Sequence, residues 1–129
     1  MSDNPRIDDL RRRLEHDPAS IAFAPLAEEL RRTGRYQESV DACRAGLAIH
    51  TGYLSAKVTL ARALIELDQM EEAAQQLEAV RQSAPEHFAA IRALADLQNR
   101  ADRLRATGTL AALDQWLAAI HVARADRRA

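Results

Sequence analysis

Three Leu-Ala dipeptides stand at one spacing, Leu26-Ala27, Leu60-Ala61 and Leu94-Ala95, each 34 residues after the last. A fixed period of that length constrains the fold more than any single residue does. It accommodates two short helices and a turn, a unit too small to bury its own apolar face, which gains stability by stacking on copies of itself. Composition agrees with helices and few loops: Gly and Pro number only four each in 129 residues and aromatics make up 4%. Ala, Leu, Arg and Glu, all strong helix formers, dominate instead. The expected class is all-α, and a chain of this length buries about two thirds of the surface its unfolded state exposes.

Taken in order, the chain begins with Asn4 before Pro5, an N-cap side chain followed by proline at the first helical position, with Asp8 and Asp9 near the positive end of the dipole. Ile7, Leu10 and Leu14 share one face of a leading half-repeat helix over 4–17, which stops at Asp17-Pro18 because a residue before proline is pushed out of the α region. A first repeat over 20–51 carries Phe23, Leu26, Ala27 and Leu30, then Gly34 at the turn, then Tyr36, Val40, Cys43 and Leu47. Pro25 is expected in the second turn of its helix, which should begin irregularly or bend there. A second repeat over 52–84 places Val58, Leu60, Ala61, Leu64 and Leu67 on one helix and Met70, Ala73, Leu77 and Val80 on the next. Asp68 and Glu71 have the spacing of a capping box. The third cycle keeps only its first helix, predicted as one long helix over 85–105 with Phe88, Ile91, Leu94, Ala95, Ala101 and Leu104 on its apolar face. After a turn at Thr107-Gly108-Thr109, a last helix within 108–125 carries Leu110, Leu113, Trp116, Leu117 and Ile120. Its expected job is to cap the open end of the array, with Trp116 buried.

Charge and reactive residues exclude more than they suggest. Eighteen basic residues stand against 19 acidic ones, a formal net charge of −1, so no global field draws the chain to nucleic acid or to an acidic membrane. Arg11-Arg12-Arg13 and Arg31-Arg32 interleave with Asp8, Asp9, Glu15, Glu28 and Glu29 at helical pair spacing, which makes solvated ion-pair faces. Lys57 is the only lysine; the arginine bias reflects either the coding habit of a GC-rich, bacterial genome or a selected preference for bidentate pairing. Cys43 is the only cysteine and stands seven residues from His50, about 10 Å along one helix axis, too far for a thiol and its base to share a proton. His16, His50, His87 and His121 are scattered, and no phosphate loop or nucleophile elbow is present. No catalytic residue, cofactor or metal is therefore expected. No stretch reaches the roughly 20 apolar residues of a membrane span, and the amino terminus has no basic run leading into an apolar core, so the expected location is cytoplasmic.

A large residue at Phe23, Leu-small at Leu26-Ala27, a glycine turn at Gly34, an aromatic at Tyr36 and small residues at Ser39 and Gly46 recur in part as Leu60-Ala61, Leu64, Ala73 and Pro85. In this pattern residues 18–105 resemble the tetratricopeptide repeat family. Lys57 and Thr51 depart from it, standing where the family has a large apolar residue and commonly a proline. The resemblance implies a right-handed α-solenoid of antiparallel helical hairpins, about seven helices here, acting as a non-catalytic adaptor or scaffold in protein–protein interaction. It also implies that the first helices of successive hairpins line a concave groove for a peptide or helix of a partner. Carried over position by position, that groove presents Ala24, Glu28, Arg31 and Arg32, then Val58, Arg62, Ile65 and Glu66, then Arg92, Asp96, Asn99 and Arg100. Five arginines against three carboxylates make it mildly basic and suit a partly acidic segment anchored on Val58 and Ile65. The Lys/Asn set with which some members grip a terminal carboxylate is missing, because Ala24 and Glu28 occupy its first pair. The alternative is structural self-assembly, with the incomplete ends of the array stacking between copies as a homo-oligomer.

Overall fold

The computed structural model describes residues 4–107 together with Ala118 and Ile120, and the described residues form helices without strands. Among the described residues six helices follow one another: α1 Pro5–His16, α2 Phe23–Arg32, α3 Tyr36–Ile49, α4 Leu54–Glu66, α5 Met70–Ser83 and α6 Phe88–Ala106. The chain divides into two compact units, Met1–Leu94 and Ala95–Ala129, so α6 runs from the first into the second. Most of the expected capping helix, Trp116 included, lies outside the described residues. None of the described helices is long and apolar enough to cross a membrane.

In the first unit, α2 with α3 and α4 with α5 form two helical hairpins, stacked through α3 on α4 and α2 on α4, while α1 packs on α2. This is the hairpin solenoid that the 34-residue period requires. Local chemistry starts α1 as expected: the Asn4 side-chain carbonyl accepts the Arg6 and Ile7 N–H groups at 3.1 and 3.2 Å, ahead of Pro5. The Asn4 amide also donates to Glu29 at 3.2 Å, which fixes α1 to α2 from its first residue. Pro25 does not lie in the second turn of α2. The helix begins only at Phe23, after a turn at Ile21 and Ala22, so Pro25 falls in the first turn, where a missing N–H costs nothing.

The two intra-hairpin turns share one construction. Gly34 has φ of 82° and Asp68, one period later, has φ of 59°. At the first turn Arg35 N–H bonds the Leu30 carbonyl and Gly34 N–H that of Arg31; at the second Gln69 N–H bonds Leu64 and Asp68 N–H bonds Ile65. A left-handed residue of this kind closes a helix by satisfying its last carbonyls. The capping box expected from Asp68 and Glu71 is therefore corrected. Asp68 ends α4 rather than starting α5, whose N-cap, Gln69, makes no side-chain cap bond.

Packing inside the first hairpin depends on Gly46. A Cβ there would stand 2.0 Å from the ring of Phe23. Phe23 is 2% exposed, stacked on His50 at a centroid distance of 5.6 Å and edge-on to Tyr53 at 5.5 Å, so it cannot withdraw. His50 is itself held, its Nε2 donating to the Ala19 carbonyl at 2.7 Å. Two more bonds bind helix to helix: Ser39 Oγ donates to the Ala27 carbonyl at 2.7 Å, and Cys43 Sγ to that of Ala56 at 3.6 Å.

The third cycle needs a correction of face. Leu26, Ala27, Leu60 and Ala61 are all buried, but Leu94 is only half-buried and Ala95 is exposed. The buried stripe of α6 is Ala90 and Ala93 in the first unit and Leu97 and Ala101 in the second, while Phe88 and Ile91 are 71% and 48% exposed. Ala90 and Ala93 stand one period after Ala56 and Thr59, which are also buried. The face that continues is thus the one α4 turns inward at those positions, and the Leu-Ala pair of α6 lies off the buried stripe. The helix also starts at Phe88 rather than Pro85, because His87 serves as its N-cap, Nδ1 accepting the Ala90 N–H at 3.3 Å.

Two predictions test these contacts. Gly46→Ala should improve helix propensity yet lower stability by about 2–3 kcal/mol in urea unfolding, because the ring has nowhere to move. On the other side of the hairpin, the Arg35 fork and then Arg11 hold the Glu38 carboxyl down to about 2 against the pull of partial desolvation. An unfolded glutamate titrates near 4.3, so Glu38 contributes stability above that value and loses it as pH falls toward 2. The advantage of the wild-type chain over Glu38→Gln in melting temperature should therefore be present at pH 6 and gone at pH 2. It should also shrink with salt, because the pair is half exposed.

Candidate interaction cleft

Helical spacing along α4 builds the site. Ser55, Val58, Thr59 and Arg62 fall on one stripe of that helix, because positions three and four apart are neighbours on its surface. Ala24, Pro25 and Glu28 form the corresponding stripe of α2. With Tyr53 ahead of α4 and His87 and Ala89 at the start of α6, they line a cleft of about 340 Å³, all within the first unit.

Its electrostatics differ from the groove expected from sequence. Glu28 accepts the Arg31 guanidinium through two bonds, at 3.1 and 2.6 Å, and Arg32 at 3.2 Å. The single Thr59 hydroxyl proton, on α4, is shared between the Glu28 carboxylate at 3.2 Å and the Ser55 carbonyl of its own helix at 3.1 Å. Burial opposes the charge on Glu28, but the Arg31 fork, Thr59 and Arg32 outweigh it and hold its carboxyl below the usual range. The same bond raises Arg31 above its ordinary value against the cost of burial. Arg31 and Arg32 thus spend their charge on Glu28. Arg62 is half-buried, lines the cleft and has no ion-pair partner among the described residues.

The remaining predicted positions scatter. Val58 lines the cleft but is only 4% exposed, and Ile65 is equally buried and not part of the lining. Ile65 as an exposed apolar anchor is thereby corrected: α4 packs against α2, α3 and α5, and a helix with neighbours on three sides buries residues all round. Glu66 is exposed at the end of α4, and Arg92 is exposed on α6. Asp96, Asn99 and Arg100 belong to the second unit, the first two exposed and Arg100 half-buried. Sequence reasoning missed Pro25, Tyr53, Ser55, Thr59, His87 and Ala89. The stripe 55-58-59-62 could have been found from its helical spacing, whereas His87 enters through a cap that no pattern announced.

Cys43 lies in the core, its thiol pushed up to about 12 by burial, far from a reactive thiolate at neutral pH. Among the described residues no three His, Cys, Asp or Glu side chains group as a metal site would need. The lining instead joins an apolar wall to one uncompensated cation and to hydroxyl and imidazole groups. Such a surface can hold an extended segment or a helix face by contact and hydrogen bonding.

A family model described as tetratricopeptide repeat matches residues 30–97, from Leu30 in α2 to Leu97 in α6. No curated protein matches the chain. One prediction concerns the Glu28 network. Thr59→Val keeps the shape and removes the hydroxyl, so it should cost about 1 kcal/mol in chemical unfolding while leaving helicity by circular dichroism unchanged.

Proposed function

Because the chain belongs to the tetratricopeptide repeat family, whose repeats mediate protein–protein interactions, we propose that it is a non-catalytic adaptor that holds a partner's peptide or helix along α2, α4 and the start of α6. The observation that carries this reading is Arg62, a half-buried cation without a partner among the described residues, set beside Ala24, Pro25, Val58 and Ala89. An acidic side chain of the partner pairs with Arg62 through charge-assisted hydrogen bonds while its apolar neighbours rest on the wall. Arg92, exposed farther along, extends the basic character, and Glu66, Asp96, Asn99 and Arg100 stand as further contact positions. Arg31 and Arg32 act indirectly, by neutralising Glu28 so that an acidic segment is not repelled. The setting is proposed to be cytoplasmic.

A second reading, self-association, is favoured by one feature, the exposed Phe88 and Ile91 on the open face of α6. Large apolar side chains exposed together on one face are a common mark of an interface. The two readings separate cleanly. A partner captured from native lysate by the wild-type chain should be lost on the double charge reversal Arg62→Glu with Arg92→Glu, whose circular dichroism should match wild type. Equal capture by the double variant sinks the groove reading. Sedimentation at two concentrations tests the alternative: a monomer at both ends self-association, and a stable dimer that Phe88→Ser dissociates supports it.

A further inference from the structure

A second cleft lies between α1 and α3. Both helices pack on α2 but scarcely on each other. The gap between them, about 570 Å³, is floored by Leu26 and Leu30 and flanked by Leu14 and Ala42, which are only partly covered. Its volume falls in the range of ligand-holding clefts, about 300–1,000 Å³. At 100° per residue, Leu26 and Leu30 leave α2 on the side opposite Ala24 and Glu28, so this cleft and the Arg62 cleft back onto each other across one helix.

The rim has a definite charge. Arg11 bonds Glu38 at 3.0 Å, and Glu38 also receives the Arg35 fork, so that carboxylate is already matched by two cations. Glu15 and Asp41 also line the cleft, and neither has a cationic partner among the described residues; Asp41 accepts only the Gln37 amide, at 3.0 Å. An apolar floor edged by two unmatched carboxylates is complementary to an apolar side chain with basic neighbours. We propose that the α1–α3 cleft is a second interaction surface, taking a leucine-bearing basic segment of a partner protein, with the leucine on Leu26 and Leu30 and the basic groups on Glu15 and Asp41. The charge preference is the reverse of that at Arg62, so a chain with both surfaces can hold an acidic segment on one side of α2 and a basic one on the other.

The test uses the full chain, methyl-labelled at leucine and alanine, titrated with the tetrapeptide acetyl-Arg-Leu-Leu-Arg-amide and with acetyl-Glu-Leu-Leu-Glu-amide. The basic peptide should give saturable shifts at Leu14, Leu26, Leu30 and Ala42, and the acidic one none at those methyls. Glu15→Lys with Asp41→Lys should weaken the basic peptide at least tenfold, while Arg62→Glu leaves its titration unchanged, which separates this surface from the adaptor cleft. Equal response to both peptides, no saturable response, or shifts confined to Ala24 and Ala89 would overturn the proposal. So would a dimer that the basic peptide dissolves, since the cleft would then belong to a second copy. The peptide pair decides the matter on the wild-type chain even if the double variant fails to fold.

Discussion

The first hairpin exists because Gly46 has no side chain. Phe23 occupies the space that any Cβ at that position would claim, and the ring in turn orders His50 and Tyr53 on either side of the loop into α4. A glycine inside a helix gives up close to 1 kcal/mol of propensity. Here the loss is offset by an aromatic side chain driven into the helix-helix interface, where burial of its apolar area far exceeds that cost. Tyr53 then stands where α4 begins, so the line from Gly46 through Phe23 reaches the mouth of the Arg62 cleft. Small residues do the same work more quietly in the second hairpin, where Ala61 and Ala73 are wholly buried.

Much of this was legible in the residues. The period, the proline at Pro5, the break at Asp17-Pro18 and the glycine at Gly34 are local signals with one meaning each, and they agree with the ends of α1 and with the turn between α2 and α3. Asp68 was not legible, because aspartate serves both ends of a helix. Only the comparison with Gly34, one period earlier, shows that it repeats a left-handed turn. The third Leu-Ala pair misled for a different reason. A repeated dipeptide marks a buried face only where the neighbouring helices keep their register, and in α6 the buried positions are Ala90 and Ala93, not Leu94 and Ala95.

The arginines teach a similar lesson about the site. Sequence position marked Arg31 as a groove residue and the helical spacing from Glu28 to Arg31 was visible, but spacing alone does not say which bond forms. The side chain folds back onto Glu28 at 2.6 Å because a half-buried carboxylate needs its cation more than open solvent does. Arg62 has no carboxylate three or four residues before it and only Glu66 after it, and it stays unmatched within the cleft. Which basic residues remain available was therefore decided by tertiary burial, a quantity no single-sequence pattern contains.

The central place of α4 bears on how the molecule opens. In a stack whose energy is mostly a sum over adjacent helices, an element persists in proportion to its neighbours. α4 packs on α2, α3 and α5, whereas α1 packs on α2 and reaches α3 through the Arg11–Glu38 bond. Backbone amides in α1 should therefore exchange with solvent through small local openings, while those of α4 are released only when both hairpins separate. The flank that bears the acidic rim is the labile one, and a partner seated there would change the breathing of the chain more than a partner held against α4.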